Sequence, residues 1–253
     1  MLLKDKTMLV TGATGGIGEA TVLKAAEEGA HIFIHYHNNK EKAALLEKKV
    51  KSLGRKAAVH QADVSVPAEV ESMFKAFFSV FPSLDILINN AGISYHKHFL
   101  EMEVEEWQKM MDLNLNSYFL CARIAARHMA KQKYGKIINN SSQLEFFARP
   151  NLTHYTTTKS GIGGFTRALS YDLAPYNIQV NNVCPGVIET EILGDKMKTD
   201  HAFRDSVLRM IPAGRLGKPE EVADLFVFLG SSKADYITGA SFIIDGGATA
   251  SRT

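Results

Sequence analysis

Short apolar runs alternate with longer amphipathic segments along nearly all of the chain. The runs TMLVT (7–11), HIFIHY (31–36), KAAVHQ (56–61), LDILIN (84–89), KIINNS (136–141), IQVNNV (178–183) and SFIID (241–245) have strand length. Between them, 16–28, 40–53, 67–80, 104–132, 155–174 and 219–230 read as helices. Parallel strands need long crossover connections, so strand–helix–strand repetition predicts an α/β fold: a parallel sheet covered by helices on both faces. The alternation is never broken for long, which predicts one domain over 1–253. Segment 187–216 departs from the rhythm, with mixed polarity and no clear strand. In a fold of short connections that predicts a lid or binding loop.

Composition narrows the partner. Lysine and arginine number 29 against 27 acids, with no block of like charge, which argues against nucleic acid or an anionic membrane and for a small molecule. Cys121 and Cys184 are the only cysteines, too few for a disulfide framework or a metal cluster. The N-terminus lacks the apolar core of a signal peptide, and no uncharged apolar run approaches the ~18 residues of a membrane span. These features predict a soluble cytoplasmic protein.

Directly after the first run comes TGATGGIGEA, with Gly12, Gly16 and Gly18 opening a helix. Glycine permits a tight turn and close approach of a pyrophosphate, and the N–H groups and dipole of a helix start attract negative charge. Turns use glycine for other reasons too; the position between a first strand and a first helix favours a dinucleotide.

The Thr-Gly-x-x-x-Gly-Ile-Gly turn, NNAG at 89–92 and YITGASFIIDGG at 236–247 resemble the short-chain dehydrogenase/reductase family over nearly the whole chain. The resemblance implies a seven-stranded Rossmann sheet of order 3-2-1-4-5-6-7, hydride transfer between nicotinamide and an alcohol or carbonyl, and a homotetramer joined through 104–132, 155–174 and the last strand.

Two stretches place a lysine four residues after a tyrosine: HYHNNK at 35–40 and HYTTTK at 154–159. On a helix, Tyr155 and Lys159 share a face, so an ammonium can sit near the phenol. A free tyrosine titrates near pH ~10, and lowering that by ~3 units requires a ~4 kcal/mol preference for phenolate. Tyr36 and Lys40 straddle a strand end and a turn, where the spacing brings nothing together. Family resemblance favours the second stretch, because Asn114 and Ser142 precede Tyr155 at the family's separations. It implies Tyr155 as general acid/base, Ser142 orienting the substrate oxygen, Lys159 on the nicotinamide ribose and Asn114 holding a relay water.

For the cofactor, the end of the second strand reads the adenosine ribose. Tyr36 stands where NAD-preferring relatives carry aspartate, followed by His37 and Asn38, and Thr14 replaces a basic residue of the glycine turn. NADP is favoured, with NAD as the alternative. Ile17 belongs to the glycine turn; Asp63 and Val64 correspond to the adenine contact, although Asp63 equally suits a helix cap. Asn90, Ala91 and Gly92 form the second fingerprint, and Pro185, Gly186, Ile188 and Thr190 match the nicotinamide carboxamide segment. Cys184 reads as a packing residue.

Gln143, Glu145, Arg149 and His154 are the expected substrate contacts, lying in the stretch between Ser142 and Tyr155. Glu145 and His154 recur in bacterial glucose dehydrogenases of this family, which implies a sugar or polyol. The alternative is a 3-oxoacyl-carrier-protein reductase, for which Lys133 matches one carrier contact while Tyr176 replaces the other. A third reading, a non-catalytic dinucleotide sensor, leaves the catalytic set unexplained. His96, Lys97 and His98 suit a solvated loop, and no metal site is predicted.

Overall fold

The computed structural model describes residues 1–193 and 196–250. Seven parallel strands form one sheet in the order β3-β2-β1-β4-β5-β6-β7. They are β1 (Thr7–Val10), β2 (His31–Tyr36), β3 (Ala57–Gln61), β4 (Ile86–Asn89), β5 (Gly135–Asn140), β6 (Ile178–Pro185) and β7 (Ser241–Ile244). The strand order reverses between β1 and β4, so the connections leaving those strands diverge and open a crevice at their C-terminal ends.

Side-chain alternation sorts the core onto two faces. Met8, Val10, Ile32, Ile34, Ile86 and Ile88 join one cluster. Leu9, Phe33, Leu87, Ile137 and Val180 join the other. Helices α1 (Gly16–Glu27), α2 (Lys40–Ser52) and α9 (Pro219–Gly230) contribute buried residues to the first. Helices α3 (Pro67–Val80) and α5 (Ser117–Gln132) contribute to the second, with α6 (Thr153–Leu173) packed against it through Phe165 and Leu169. Each fully buried aliphatic side chain is worth ~1.5–3 kcal/mol, so a one-residue slip of any central strand is strongly opposed.

The helix expected over 104–132 is interrupted. Helix α4 (Val104–Met111) passes through a π turn at Asp112–Asn116 before α5 begins, and the Ser117 N–H reaches back to the Asp112 carbonyl. The π turn carries Asn114, whose amide nitrogen donates to the Ile93 carbonyl at 2.8 Å and whose oxygen accepts the Ile93 N–H at 2.9 Å. That lateral grip on the loop after β4 is absent from helical periodicity.

The expected lid is mostly helical. It contains a 3-10 turn (Glu191–Leu193), α7 (Lys196–Thr199) and α8 (His201–Leu208), with Met197, Val207, Ile211 and Ala248 in a small cluster of their own. Residues 194 and 195 of that segment lie outside the described residues. Among the described residues no helix is long and apolar enough to cross a membrane.

Candidate active site

The first βα turn is built by exclusion of side chains. Gly12 has φ +61°, and a Cβ there would stand 2.8 Å from the Ala91 Cα. Gly18 packs its α-carbon under the turn, where a Cβ would lie 2.9 Å from the Ala13 Cα. Helix α1 starts behind Gly15 with no side chain capping it, so its first N–H groups remain directed at the crevice.

Asparagine side chains stitch the turn to the neighbouring strands. The Asn90 amide donates to the Thr11 and Gly12 carbonyls at 3.1 and 3.0 Å, and its oxygen accepts from the Asn140 amide at 2.8 Å. Thr11 Oγ1 accepts the N–H groups of Asn90 and Ala91. One level down, Asn89 donates to Asn139, Asn139 to Thr166, and Thr166 bonds Asn182. The ends of β1, β4, β5 and β6 are thereby held in one network.

Over this floor runs a cleft of about 890 Å³. Gly12, Thr14, Gly16, Ile17 and Gly18 line one side; His37, Asn38, Asp63 and Val64 line one end; Asn90, Ala91 and Gly92 lead toward the other. It meets a second cavity of about 490 Å³, to which Pro185, Gly186, Ile188 and Thr190 contribute. Asp63 also holds its own turn, accepting the Ser65 N–H and hydroxyl at 2.9 and 2.6 Å. Burial pushes its carboxyl up, but those bonds and nearby His37 outweigh it, leaving the group below its ordinary value.

Tyr36 corrects an expectation. It is 6% exposed, packed with Ile32 and Ile34 in the core, and is not part of the cleft wall. Strand alternation is the reason: positions 32, 34 and 36 share one face, and His35 points to the other. His35 lines the cleft instead. Its Nδ1 accepts the Gly12 N–H at 3.0 Å and its Nε2 meets the Ala62 carbonyl at 2.9 Å, which fixes the neutral Nε2–H tautomer. Burial pushes its pKa down to about 4. Sequence reasoning missed His35 because the tyrosine–lysine pattern drew attention one residue further on.

Ser142, Tyr155 and Lys159 converge on the second cavity, together with Gln143 and Arg149. The Tyr155 hydroxyl is pushed up to about 12 by burial, against a hydrogen bond with Ser142 that lowers it. Lys159 Nζ lies 5.5 Å from the Tyr155 ring centre and 5.6 Å from that of Tyr118. It donates to the Asn140 carbonyl at 2.7 Å, and the Tyr118 hydroxyl donates to the same oxygen at 3.1 Å. Burial pulls Lys159 down to about 8, opposed by Cys184 and Glu145. The Cys184 thiol is itself pushed up, first by burial, so it is neutral at physiological pH and Glu145 is the anion that Lys159 feels.

Asn114 stands behind this group, wholly buried, with its side chain spent on the Ile93 backbone. Glu145 and His154 also differ from their expected placement at the cavity wall: neither lines it. Glu145 turns under the sheet ends and accepts from Ser241 at 2.8 Å, Asn182 at 3.2 Å and Cys184 at 3.3 Å. His154 is fully buried, edge-on to Tyr95 at 4.8 Å, with no hydrogen-bond partner at either ring nitrogen. Its place at the start of α6 turns it inward while Tyr155 faces the cavity.

A family model described as "Enoyl-(Acyl carrier protein) reductase" matches residues 12–249. The chain is 38% identical over 245 residues to the 3-oxoacyl-[acyl-carrier-protein] reductase FabG of Staphylococcus aureus (strain N315), covering 96% of this chain and 97% of that one. The chain belongs to the short-chain dehydrogenase/reductase family. Solved structures agree. A short-chain dehydrogenase/reductase from Serratia marcescens BCRC 10948 is 33% identical with a TM-score of 0.91, covering 98% of this chain and 100% of its own. A gluconate 5-dehydrogenase from Burkholderia cenocepacia J2315, in complex with NADP and tartrate, is 35% identical with a TM-score of 0.92, covering 98% and 96%. As a short-chain dehydrogenase/reductase, the chain is an NAD(P)-dependent oxidoreductase acting on an alcohol or carbonyl.

Proposed function

We propose that this enzyme moves hydride between NADP and a secondary alcohol or carbonyl carbon of a sugar-like or polyol substrate. The observation that carries the reading is the convergence of Ser142, Tyr155 and Lys159 on one cavity that opens into the glycine-turn cleft. The cleft fits a dinucleotide: Gly12 and Gly18 leave no room for side chains, and the free start of α1 faces the place of a pyrophosphate. Gly12, Gly16, Gly18, Asn90 and Thr190 would hold it, with Lys159 at the ribose. When bound, the nicotinamide supplies or accepts the hydride.

Tyr155 holds its proton at neutral pH, because burial has raised its pKa. In reduction it passes that proton to the substrate oxygen as hydride reaches the carbon, while Ser142 bonds the same oxygen. In oxidation the proton returns to Tyr155. Lys159 places positive charge beside the phenol and favours its ionised form.

NADP is preferred to NAD because the residues that follow β2 into the cleft, His37 and Asn38, carry no acid to repel a 2′-phosphate. The polar end of the substrate cavity, with Ser94, His96, Gln143 and Arg149, suits hydroxyl-rich ligands. A 3-oxoacyl thioester is the second reading, favoured by the apolar wall of Leu144, Leu152, Val187, Phe203 and Met210. Assembly as a homotetramer through α4, α5, α6 and β7, in the cytoplasm, completes the proposal; light scattering tests the assembly.

The deciding experiment follows nucleotide absorbance with both cofactors against polyols, aldoses, aldonates and 3-oxoacyl thioesters. Turnover of a hydroxyl-rich substrate with NADP is expected. Turnover confined to acyl thioesters would favour the second reading, and dinucleotide binding without turnover of any substrate would favour a sensor.

A further inference from the structure

Glu145 has no place among the substrate contacts, yet it is a carboxylate with a side chain only 4% exposed, set behind the catalytic group. Its position is made by a missing side chain. Lys159 and Gly163 lie four residues apart on one face of α6, and a Cβ on Gly163 would stand 2.6 Å from the Glu145 carboxyl carbon. The carboxylate therefore occupies a notch one helical turn beyond Lys159. Backbone contacts fix the same arrangement: Ser160 Oγ donates to the Glu145 carbonyl at 3.3 Å, and Ser141 Oγ donates to the Lys159 carbonyl at 3.1 Å.

Resting on the dehydrogenase reading above, we infer that Glu145 is a positioning residue: its carboxylate, lodged in the Gly163 notch, keeps the Lys159 ammonium charged and available to the cofactor ribose. A lysine enclosed by protein loses its hydration, and the charged form survives only if something nearby replaces it. Among the described residues, titratable groups from four elements act on Lys159. Tyr155 faces it from α6, Tyr118 from α5, Cys184 from β6 and Glu145 from the 3-10 turn (Gln143–Glu145) after β5. Both tyrosines and the cysteine are raised by burial and neutral near pH 7, which leaves Glu145 as the one anion in that set.

Glu145 is in turn restrained. Asn182, Ser241 and Cys184 donate to it, and Arg167, 64% exposed, approaches Oε1 at 4.0 Å from one turn further along α6. Arg167 competes for the carboxylate's field. Removing Glu145's charge should make Lys159 easier to deprotonate, whereas removing Arg167's charge should make it harder. A purely structural latch joining β6, β7 and α6 would produce neither shift.

The test measures binding as well as turnover. The dissociation constant of reduced dinucleotide, read by its fluorescence, is followed across pH for the full-length enzyme and for Glu145→Gln, Glu145→Asp, Arg167→Gln and Lys159→Met. In the wild type, affinity is expected to weaken above the Lys159 value of about 8, and Lys159→Met should lose that break. Glu145→Gln should move the break down by ~1 unit, weakening binding up to ~10-fold at the wild-type midpoint, with Glu145→Asp recovering part of the shift. Arg167→Gln, a change at an exposed side chain, should move it up by a few tenths of a unit. A break that stays put in folded Glu145→Gln overturns the inference. If that variant does not fold, an unmoved or downward break in Arg167→Gln overturns it. Failure of the wild type to bind dinucleotide would instead sink the dehydrogenase reading.

Discussion

The segments His35–Lys40 and His154–Lys159 share three of six residues and have opposite fates. In the first, tyrosine closes a strand and enters the core, while the lysine opens α2 at the surface. In the second, both side chains lie on one face of α6 and line the same cavity. The histidines invert the pattern. His35 uses both ring nitrogens to tie Gly12 to Ala62, whereas buried His154 uses neither. A tyrosine–lysine spacing thus has chemical content only through the element that carries it.

The sharpest way to break this contrast is to remove each phenol. Tyr155→Phe should cut kcat by ~10³-fold or more, as expected for loss of a proton-transfer group, while Tyr36→Phe should leave kcat within ~2-fold because it changes only a core contact; steady-state kinetics checks both. Lys159→Met should reduce kcat/KM by ~10²-fold through loss of ribose contact and charge, and Lys40→Met at the surface should be silent in the same assay.

Proton uptake sharpens the comparison further. Because Tyr155 sits above an ordinary phenol, alcohol oxidation should rise with pH through the alkaline range, while reduction is fastest near neutrality; pH–rate profiles in both directions test this. His35 predicts an effect on stability. Its folded pKa of about 4 lies below the ordinary histidine value of 6.5, so the unfolded chain binds the extra proton first. Stability is complete above that ordinary value and declines as pH falls toward the folded one, by up to ~3 kcal/mol. Denaturant melts of wild type and His35→Asn across that window should differ in slope.

The smallest effect belongs to the other histidine. Replacing His154 by Leu removes two polar atoms that have no partners, so stability near pH 8 should change by less than ~1 kcal/mol. Thermal melting measures that change.

The sheet, its parallel sense and the helix positions were legible because burial on both faces leaves continuous apolar runs separated by helical periodicity. Strand order came from family resemblance. The glycine turn was legible because the Ala91 backbone, 2.8 Å from where a Cβ would stand, leaves room only for glycine at Gly12. Side-chain direction was harder to read. Tyr36, Glu145 and His154 each sit beside a residue that does face a cavity, and a shift of one position along a strand or a helix start turns a ligand contact into a core contact. Tyr118 and His35 were missed for the converse reason: they act on backbone atoms, Asn140 O and the Gly12 N–H, and carry no motif of their own.

The π turn at Asp112–Asn116 means that the long helix holds one residue more than its path requires. Each residue of an ordinary helix advances the outward direction by roughly 100°, so the surplus lets α4 and α5 present differently phased stripes to what they touch. Deleting a single residue there would yield a smoother rod and a tidier periodicity. It would also swing Asn114 off Ile93, unfastening the loop that leads from the nucleotide seat to the substrate. In this helix regularity and competence pull in opposite directions, and an alignment gap at this spot would say more about activity than many substitutions elsewhere.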